Sequence, residues 1–576
     1  MYTSNYNRRA KAVFFIFVVF FLICSARLFF VQCFHSEYLK NLANRQHNLL
    51  IELEPRRGTI FDASLRPQAV NLAVDSLYAS PIELSEAEKE DIIRKLPSIL
   101  GVSRSFLEER LSRKKYFVWV ARKLTAAQSE AIKQLKLKGL GFIKESKRSY
   151  PNGYLASHLI GFAGLDNRGL EDIELYYDKY LRGEAGWALV LRDARQNKLN
   201  FYENMMQPKD GYDVVLTIDE VIQYIAEREL DKAYTMYHAK GASIVVLEPD
   251  TGKVLALANR PSVDLNAYAS SPADLLRNRA VCDLFEPGSV FKIVTASAAL
   301  EEGKFTEEDK IFCENGSYKL ANHILHDHRP HGMLTFREVI EQSSNIGVSK
   351  IAQALGSDTI YKYIRLFGFG SKTGIDLPGE IVGMVKEPRQ WSKTSIGAVP
   401  MGQEVGVTAL QLASAISVVA NGGLLMKPYV VQEIRDKSGQ TIKQFSPVEV
   451  QRVISEETAA RLRNILTGVI ENGTGKLARF DDCAVAGKTG TAQKLEANGS
   501  YSHDKFYASF IGFAPADKPA VAIVVVLDEP RPYYFGGVVA APVFKNVAKD
   551  ALRYFKSNQM LFADNVLVFN DIDRAH

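Results

Sequence analysis

The sequence predicts an α+β protein carried on a single membrane-spanning helix, and three observations point there. Residues 12–24 form an uninterrupted apolar run, and the apolar character continues to Val31. A strand–turn–strand pattern over 242–248 and 253–258 stands near the start of the long C-terminal segment. Strands at 507–513 and 521–527 stand near its end and the stretch between them is largely helical, so one sheet draws on both ends of that segment.

The apolar run comes first. As a helix its twenty residues span about 30 Å, one bilayer core. Arg8, Arg9 and Lys11 precede it without an acid, which places the N-terminus in the cytoplasm and the bulk of the chain in the periplasm or outside the cell. A cleaved signal peptide has a shorter apolar core, whereas here the apolar character resumes at Leu28 after Ser25 and Ala26. The expected divisions are a cytoplasmic tail (1–11) and a transmembrane anchor (12–34).

Residues 35–210 follow, punctuated by Gly and Pro. Helices are expected at 86–100, 125–137 and 171–181, and Pro55 to Ile60 reads as a turn entering a strand. No tight His, Cys or carboxylate constellation occurs there, so the segment reads as a spacer or docking module. From Gly211 the texture changes to an amphipathic helix at 219–234 and then the hairpin around Pro249-Asp250-Thr251-Gly252. This second domain is expected to run over 211–558, with a C-terminal tail at 559–576.

The charge balance, 71 basic against 66 acidic residues with no long basic run, speaks against a nucleic-acid partner. Five scattered cysteines without a CxxC indicate neither a zinc site nor a disulfide framework. His323, His326, His328 and His331 crowd around Asp327, but no metal or other cofactor is expected.

Three short motifs carry the chemistry. Ser289-Val290-Phe291-Lys292 follows Glu286-Pro287-Gly288 and opens an apolar helical run. A serine in a first helical turn sits where free N–H groups favour developing negative charge, and a lysine three residues on lies on the same face as a base. The SxxK pattern also occurs at Ser112/Lys115 and Ser502/Lys505, but only Ser289 opens an apolar helix. Ser343-Ser344-Asn345 lies between two helical stretches and offers a hydroxyl and a carboxamide. Lys488-Thr489-Gly490-Thr491 sits in a strand-like context: Lys488 and the threonines suit a carboxylate, and Gly490 suits close approach of a substrate backbone. A second Lys372-Thr373-Gly374 lacks the following Thr and reads as a turn. Gly487-Lys488-Thr489 mimics the end of a phosphate-binding loop, but Asp482 stands where that loop needs Gly.

SxxK, SxN and KTG in this order resemble the signature of the penicillin-binding proteins. Glu286 to Ser289, Gly402 to Thr408, Ala486 to Lys494 and Phe510 to Pro515 resemble the class B enzymes of the cell-division type, and Arg57 to Ile60 and Gly169 to Glu171 resemble that class's N-terminal pedestal. Two departures matter little: the middle motif is Ser-Ser-Asn rather than Ser-Asp-Asn, which is usual for class B, and the segment after Phe61-Asp62 departs from the usual Arg-Asn-Gly turn. The resemblance implies an elongated α+β pedestal (35–210) and a transpeptidase domain with a central antiparallel sheet flanked by helices. It implies a peptidoglycan D,D-transpeptidase of the septum: Ser289 the nucleophile, Lys292 its base, Ser343 the proton relay, Asn345 a ligand of the stem-peptide amide, and Lys488, Thr489, Gly490 and Thr491 the carboxylate site. Backbone N–H groups of Ser289 and Thr491 would form the oxyanion hole. Implied partners are donor and acceptor stem peptides, β-lactam antibiotics, a SEDS-family (FtsW-like) glycosyltransferase and other divisome proteins. The rivals are an elongation-type class B enzyme, a hydrolase using the same acyl-enzyme, and a non-enzymatic division scaffold. A bifunctional class A enzyme is disfavoured because residues 35–210 lack that glycosyltransferase's acidic motif.

Overall fold

A computed structural model describes residues 3–39, 48–115, 117–192, 198–321, 323–496 and 499–572. The chain divides into two compact units, Met1–Arg56 with Gly183–Asp210, and Arg57–Arg182 with Gly211–His576.

In the first unit the expected apolar run lies within one helix, Thr3–Phe34. Its segment Asn7–Phe34, 28 residues, is long and apolar enough to cross a bilayer. Phe14, Phe15, Phe20 and Phe21 are 63–71% exposed, an apolar surface that lipid can cover. The same unit holds a three-stranded antiparallel sheet in which Gly186–Arg192 lies between Asn48–Leu53 and Lys198–Met206.

The second unit holds the five-stranded sheet anticipated from both ends of the C-terminal segment. Its strands, numbered in chain order, are β1 (Gly241–Leu247), β2 (Val254–Arg260), β3 (Ala486–Leu495), β4 (Tyr501–Ala514) and β5 (Val521–Asp528). Their spatial order is β2-β1-β5-β4-β3, antiparallel throughout. β1 and β2 are buried along their whole length, so both faces must be covered, and the period of two divides their side chains between two cores. Ile244, Val246, Ile523 and Val525 pack with Ile222 and Leu230 of helix Glu220–Met236 and with Phe544 of helix Ala541–Ile572. Val245, Leu247, Val524 and Val526 belong to the opposite core, with Leu412 and Ile416 of helix Ala409–Ala420.

A second sheet joins strands from either side of Gly211. Its order is Thr441–Gln444, Val431–Arg435, Asp213–Leu216, Ile60–Phe61, Pro67–Ala79 and Val118–Ala121, with Leu140–Ser149 also on Pro67–Ala79. Beside it lies a buried ionic cluster. Glu174 takes Arg57 Nε at 2.6 Å and Arg148 Nε at 2.5 Å, and Arg57 Nη1 reaches Asp178 at 2.6 Å. This cluster sits where one helix was expected over 171–181. The structure has two short ones instead, Asp172–Tyr176 and Asp178–Leu181, broken at Tyr177, whose hydroxyl donates to Asp376 at 2.8 Å.

Candidate active site

The Ser289 motif begins with a glycine hinge. Gly288 has φ of +59° and its N–H donates to Gly402 O at 3.1 Å. A Cβ on Gly402 would strike the Gly288 backbone, so two glycines let the chains touch. Ser289 follows in a tight 3₁₀ turn, Gly288–Phe291, which leads into the α-helix Lys292–Glu301. The first turn is therefore tighter than the α-helical one expected. Ser289 is half-exposed, while Lys292 is fully buried within the helix.

Lys292 Nζ donates to Ser343 O at 2.6 Å, Ser343 Oγ at 3.2 Å and Asn345 Oδ1 at 2.8 Å. All three ammonium protons are thus directed at the second motif, and a lone pair for Ser289 exists only when Lys292 is neutral. Ser343 takes a left-handed backbone, φ +60°, in the break between helices Phe336–Glu341 and Asn345–Leu355. That conformation is unfavourable for a residue with a Cβ and is held here by its surroundings. Ser344 caps the second helix, its hydroxyl accepting from Gly347 N at 2.9 Å.

The third motif lies on β3, paired with β4 so that Lys488 faces Ile511 and Gly490 faces Ser509. Lys488 is also fully buried, and its Nζ donates to Ser343 Oγ at 2.9 Å. The Ser343 hydroxyl therefore stands between both lysines. Burial pushes Lys292 down to about 7, against the pull of the Asp327 charge. Burial, and then the nearby Lys292, push Lys488 well below the usual lysine range. Two ammonium groups around one hydroxyl repel, so the arrangement favours at least one neutral amine.

Thr489 and Ser289's neighbours complete the picture. The Thr489 hydroxyl meets Thr474 Oγ1 at 2.7 Å, and Thr491 Oγ1 accepts from Gly536 N at 3.1 Å. At Gly490 a Cβ would collide with Ser509 Oγ and lie 2.9 Å from Val290 Cγ1 and 3.0 Å from Pro287 O. Glycine here lets β3 press against the Ser289 turn, a packing reason distinct from the substrate approach expected from sequence. Gly288 lies on the other side of the same contact, where a Cβ would sit 3.1 Å from Ala492 Cβ.

Lys292, Ser343, Asn345 and Lys488 are thus joined by hydrogen bonds, and Ser289 shares its turn's contact with Gly490 and the Thr491 backbone. Sequence reasoning missed Asp327 as an organiser. Its Oδ1 accepts from Asn345 N at 2.6 Å and Ile346 N at 3.0 Å, and its Oδ2 accepts from Ser344 Oγ at 2.6 Å. The neighbouring His326 O accepts from Asn345 Nδ2 at 3.0 Å. The histidine-rich run is thus the clamp of the second motif, and among the described residues no His, Cys, Asp and Glu group is placed to hold a metal. Thr474 was also missed; its Gly-Thr-Gly setting signals only a turn. The second KTG is the turn expected, with Thr373 N and Oγ1 both donating to Glu380.

Two family models match the chain: the penicillin binding protein transpeptidase domain over residues 242–549, and the penicillin-binding protein dimerisation domain over 52–216. Stage V sporulation protein D of Bacillus subtilis is 37% identical over 563 residues, covering 96% of this chain and 87% of that protein. Peptidoglycan D,D-transpeptidase FtsI of Escherichia coli K12 is 32% identical over 509 residues, 87% of this chain and 84% of that protein. The crystal structure of penicillin-binding protein 3 of Mycobacterium tuberculosis with aztreonam matches with a TM-score of 0.68 at 28% identity, covering 88% of this chain and 97% of that one.

Proposed function

The chain belongs to the class B penicillin-binding proteins, and on that premise we propose how its site residues carry out acyl transfer in septal wall synthesis. It is a peptidoglycan D,D-transpeptidase that binds β-lactams, with one helix as its membrane anchor.

Ser289 Oγ attacks the carbonyl between the last two D-alanines of a donor stem peptide. Lys292, neutral, takes the serine proton. Ser343, hydrogen-bonded to both Lys292 and Lys488, gives its proton to the departing D-alanine nitrogen and takes in exchange the one that Lys292 collected, so that the amine is neutral again. The N–H groups of Ser289 and Thr491 hold the oxyanion. Asn345 binds the stem-peptide amide, and Lys488, Thr489 and Thr491 bind the terminal carboxylate, with Gly490 holding their strand against the Ser289 turn. The Thr491 hydroxyl accepts from Gly536 N and keeps its own proton for the carboxylate; the Thr489 hydroxyl keeps its proton when Thr474 is the donor of the bond between them. An amine of a second stem peptide then releases Ser289. A β-lactam enters the first half of this sequence and stays as an ester. The single observation that carries the reading is a fully buried Lys292, lowered to about 7, sharing one serine hydroxyl with a second buried lysine.

The test is intact mass and peptide mapping of the full chain in detergent after exposure to a penicillin, beside Ser289→Ala. An adduct on Ser289, absent from the variant, is expected. Equal labelling of folded Ser289→Ala, or no adduct at all, sinks the assignment and favours a scaffold. Glu286 before Pro287 and the Ala492-Gln493-Lys494 stretch support the division role. Depletion is then expected to give filaments, whereas round cells would favour elongation. Arg8, Arg9 and Lys11 support a cytoplasmic N-terminus with residues 35–210 as pedestal and 211–558 as transpeptidase domain outside. A SEDS-family (FtsW-like) polymerase is the proposed membrane partner, through the anchor helix and pedestal, and co-purification after crosslinking tests it.

A further inference from the structure

The second KTG, which the transpeptidase site does not use, lines a cavity. Lys372 and Thr373 stand on the wall of a space of about 600 Å³ between helix Ser357–Leu366, helix Ala409–Ala420 and the strands Leu424–Met426 and Glu449–Arg452. That volume lies in the range that holds small ligands. None of the eight proposed site residues lines it.

Its chemistry is one-sided. Phe367, Leu425, Met426 and Pro428 form an apolar wall. The charged lining residues are Lys362, Arg365 and Lys372, with no carboxylate among them. Lys362 is paired with Glu302 at 2.9 Å. Arg365 spends two of its five N–H groups on Phe369 O and Ser371 Oγ, at 2.9 and 2.8 Å, which fixes the guanidinium and leaves donors over. Lys372 is exposed nearby. On the Ala409–Ala420 helix, Ser414 is 5% exposed and its Oγ is buried without a hydrogen-bond partner. Native proteins rarely leave such a hydroxyl unsatisfied.

We propose that this cavity is a binding site for a small amphipathic anion, an apolar body carrying one carboxylate or phosphate. The anion lies between Arg365 and Lys372, and the apolar part covers Phe367, Leu425 and Met426. Charge complementarity selects the class, because an ionised acceptor on a fixed guanidinium and an ammonium makes the strong kind of hydrogen bond.

The test uses the full chain in nanodiscs of a zwitterionic lipid, with Ser289 first acylated by a penicillin so that the transpeptidase site is closed. Phenyl phosphate and phenylacetate are titrated by saturation-transfer NMR, with benzyl alcohol as the neutral control. Saturable binding of at least one anion is expected, about tenfold or more tighter than benzyl alcohol. Preference for phenyl phosphate points to phosphate headgroups as the natural source, and preference for phenylacetate to carboxylates. Lys372→Glu is expected to weaken the anion about tenfold and Lys372→Arg to retain it, with penicillin acylation unchanged in both. Equal affinity for benzyl alcohol, no saturable binding of either anion, or unchanged affinity in Lys372→Glu overturns the proposal.

Discussion

The proposed reaction needs Lys292 as a base at neutral pH, and its burial favours that role. Penicillin acylation is therefore expected to rise through about pH 7 and level off above, read by stopped-flow with a fluorescent penicillin. Lys292→Met should lower that rate by about 10²–10⁴-fold. The same burial acts on stability with a definite sign. The unfolded lysine keeps its proton up to its ordinary value of 10.5, while the folded one releases it near 7. Stability therefore climbs as pH rises between those limits and bears the full penalty below the lower one. Lys292→Met should melt higher than the wild type at pH 7 and lose much of that climb. Asp327 tunes the same group. Asp327→Ala removes a helix cap and is expected to cost about 1–2 kcal/mol in unfolding experiments, with Asp327→Asn recovering part of it. Both remove the charge that holds the Lys292 value up, so in both the acylation profile should shift to lower pH. The motif residues were legible because chemistry-bearing types stand close together in sequence. Asp327 was not, because its task is to accept hydrogen bonds from a helix start 18 residues away, and a carboxylate among histidines suggests metal more readily than a clamp.

At the scale of elements, local signals served well where a cap stood beside a periodic run. Ser85 and Glu88 form a reciprocal capping box at the head of Glu86–Leu100, and that helix occupies the expected span. The span 171–181 failed for a tertiary reason. Helical pattern continues across it, but Glu174 and Asp178 are drawn to Arg57 and the Tyr177 hydroxyl is drawn to Asp376, which no local rule foresees. Glu174 lies between two buried guanidinium groups, so Glu174→Gln leaves them under-compensated. A loss of about 3–5 kcal/mol is expected by calorimetry. On β3, Gly490→Ala must push the strand away from Pro287 and Val290. Overpacking of this kind costs about 1–3 kcal/mol, and acylation should fall further than stability because the displaced partner is the turn that holds the proposed nucleophile Ser289.

Across the whole molecule, sequence order and spatial order disagree in one telling place. β1 and β2 come early, yet β1 pairs on its far side with β5, which the chain delivers near its end. Sequence patterning found the strands at both ends because each is short, apolar and bounded by turns; it could not give their order, which only long-range pairing sets. A chain stopped before Ala486 would lack three of the five strands. It should be digested rapidly by protease and take up no penicillin. For a ribosome this means that the early hairpin emerges with its β1 edge bare and waits through the synthesis of every intervening helix before β5 arrives to cover it. Such a delay is the interval in which an open edge attracts wrong partners, so protection of the nascent chain during it is expected to raise the yield of folded protein.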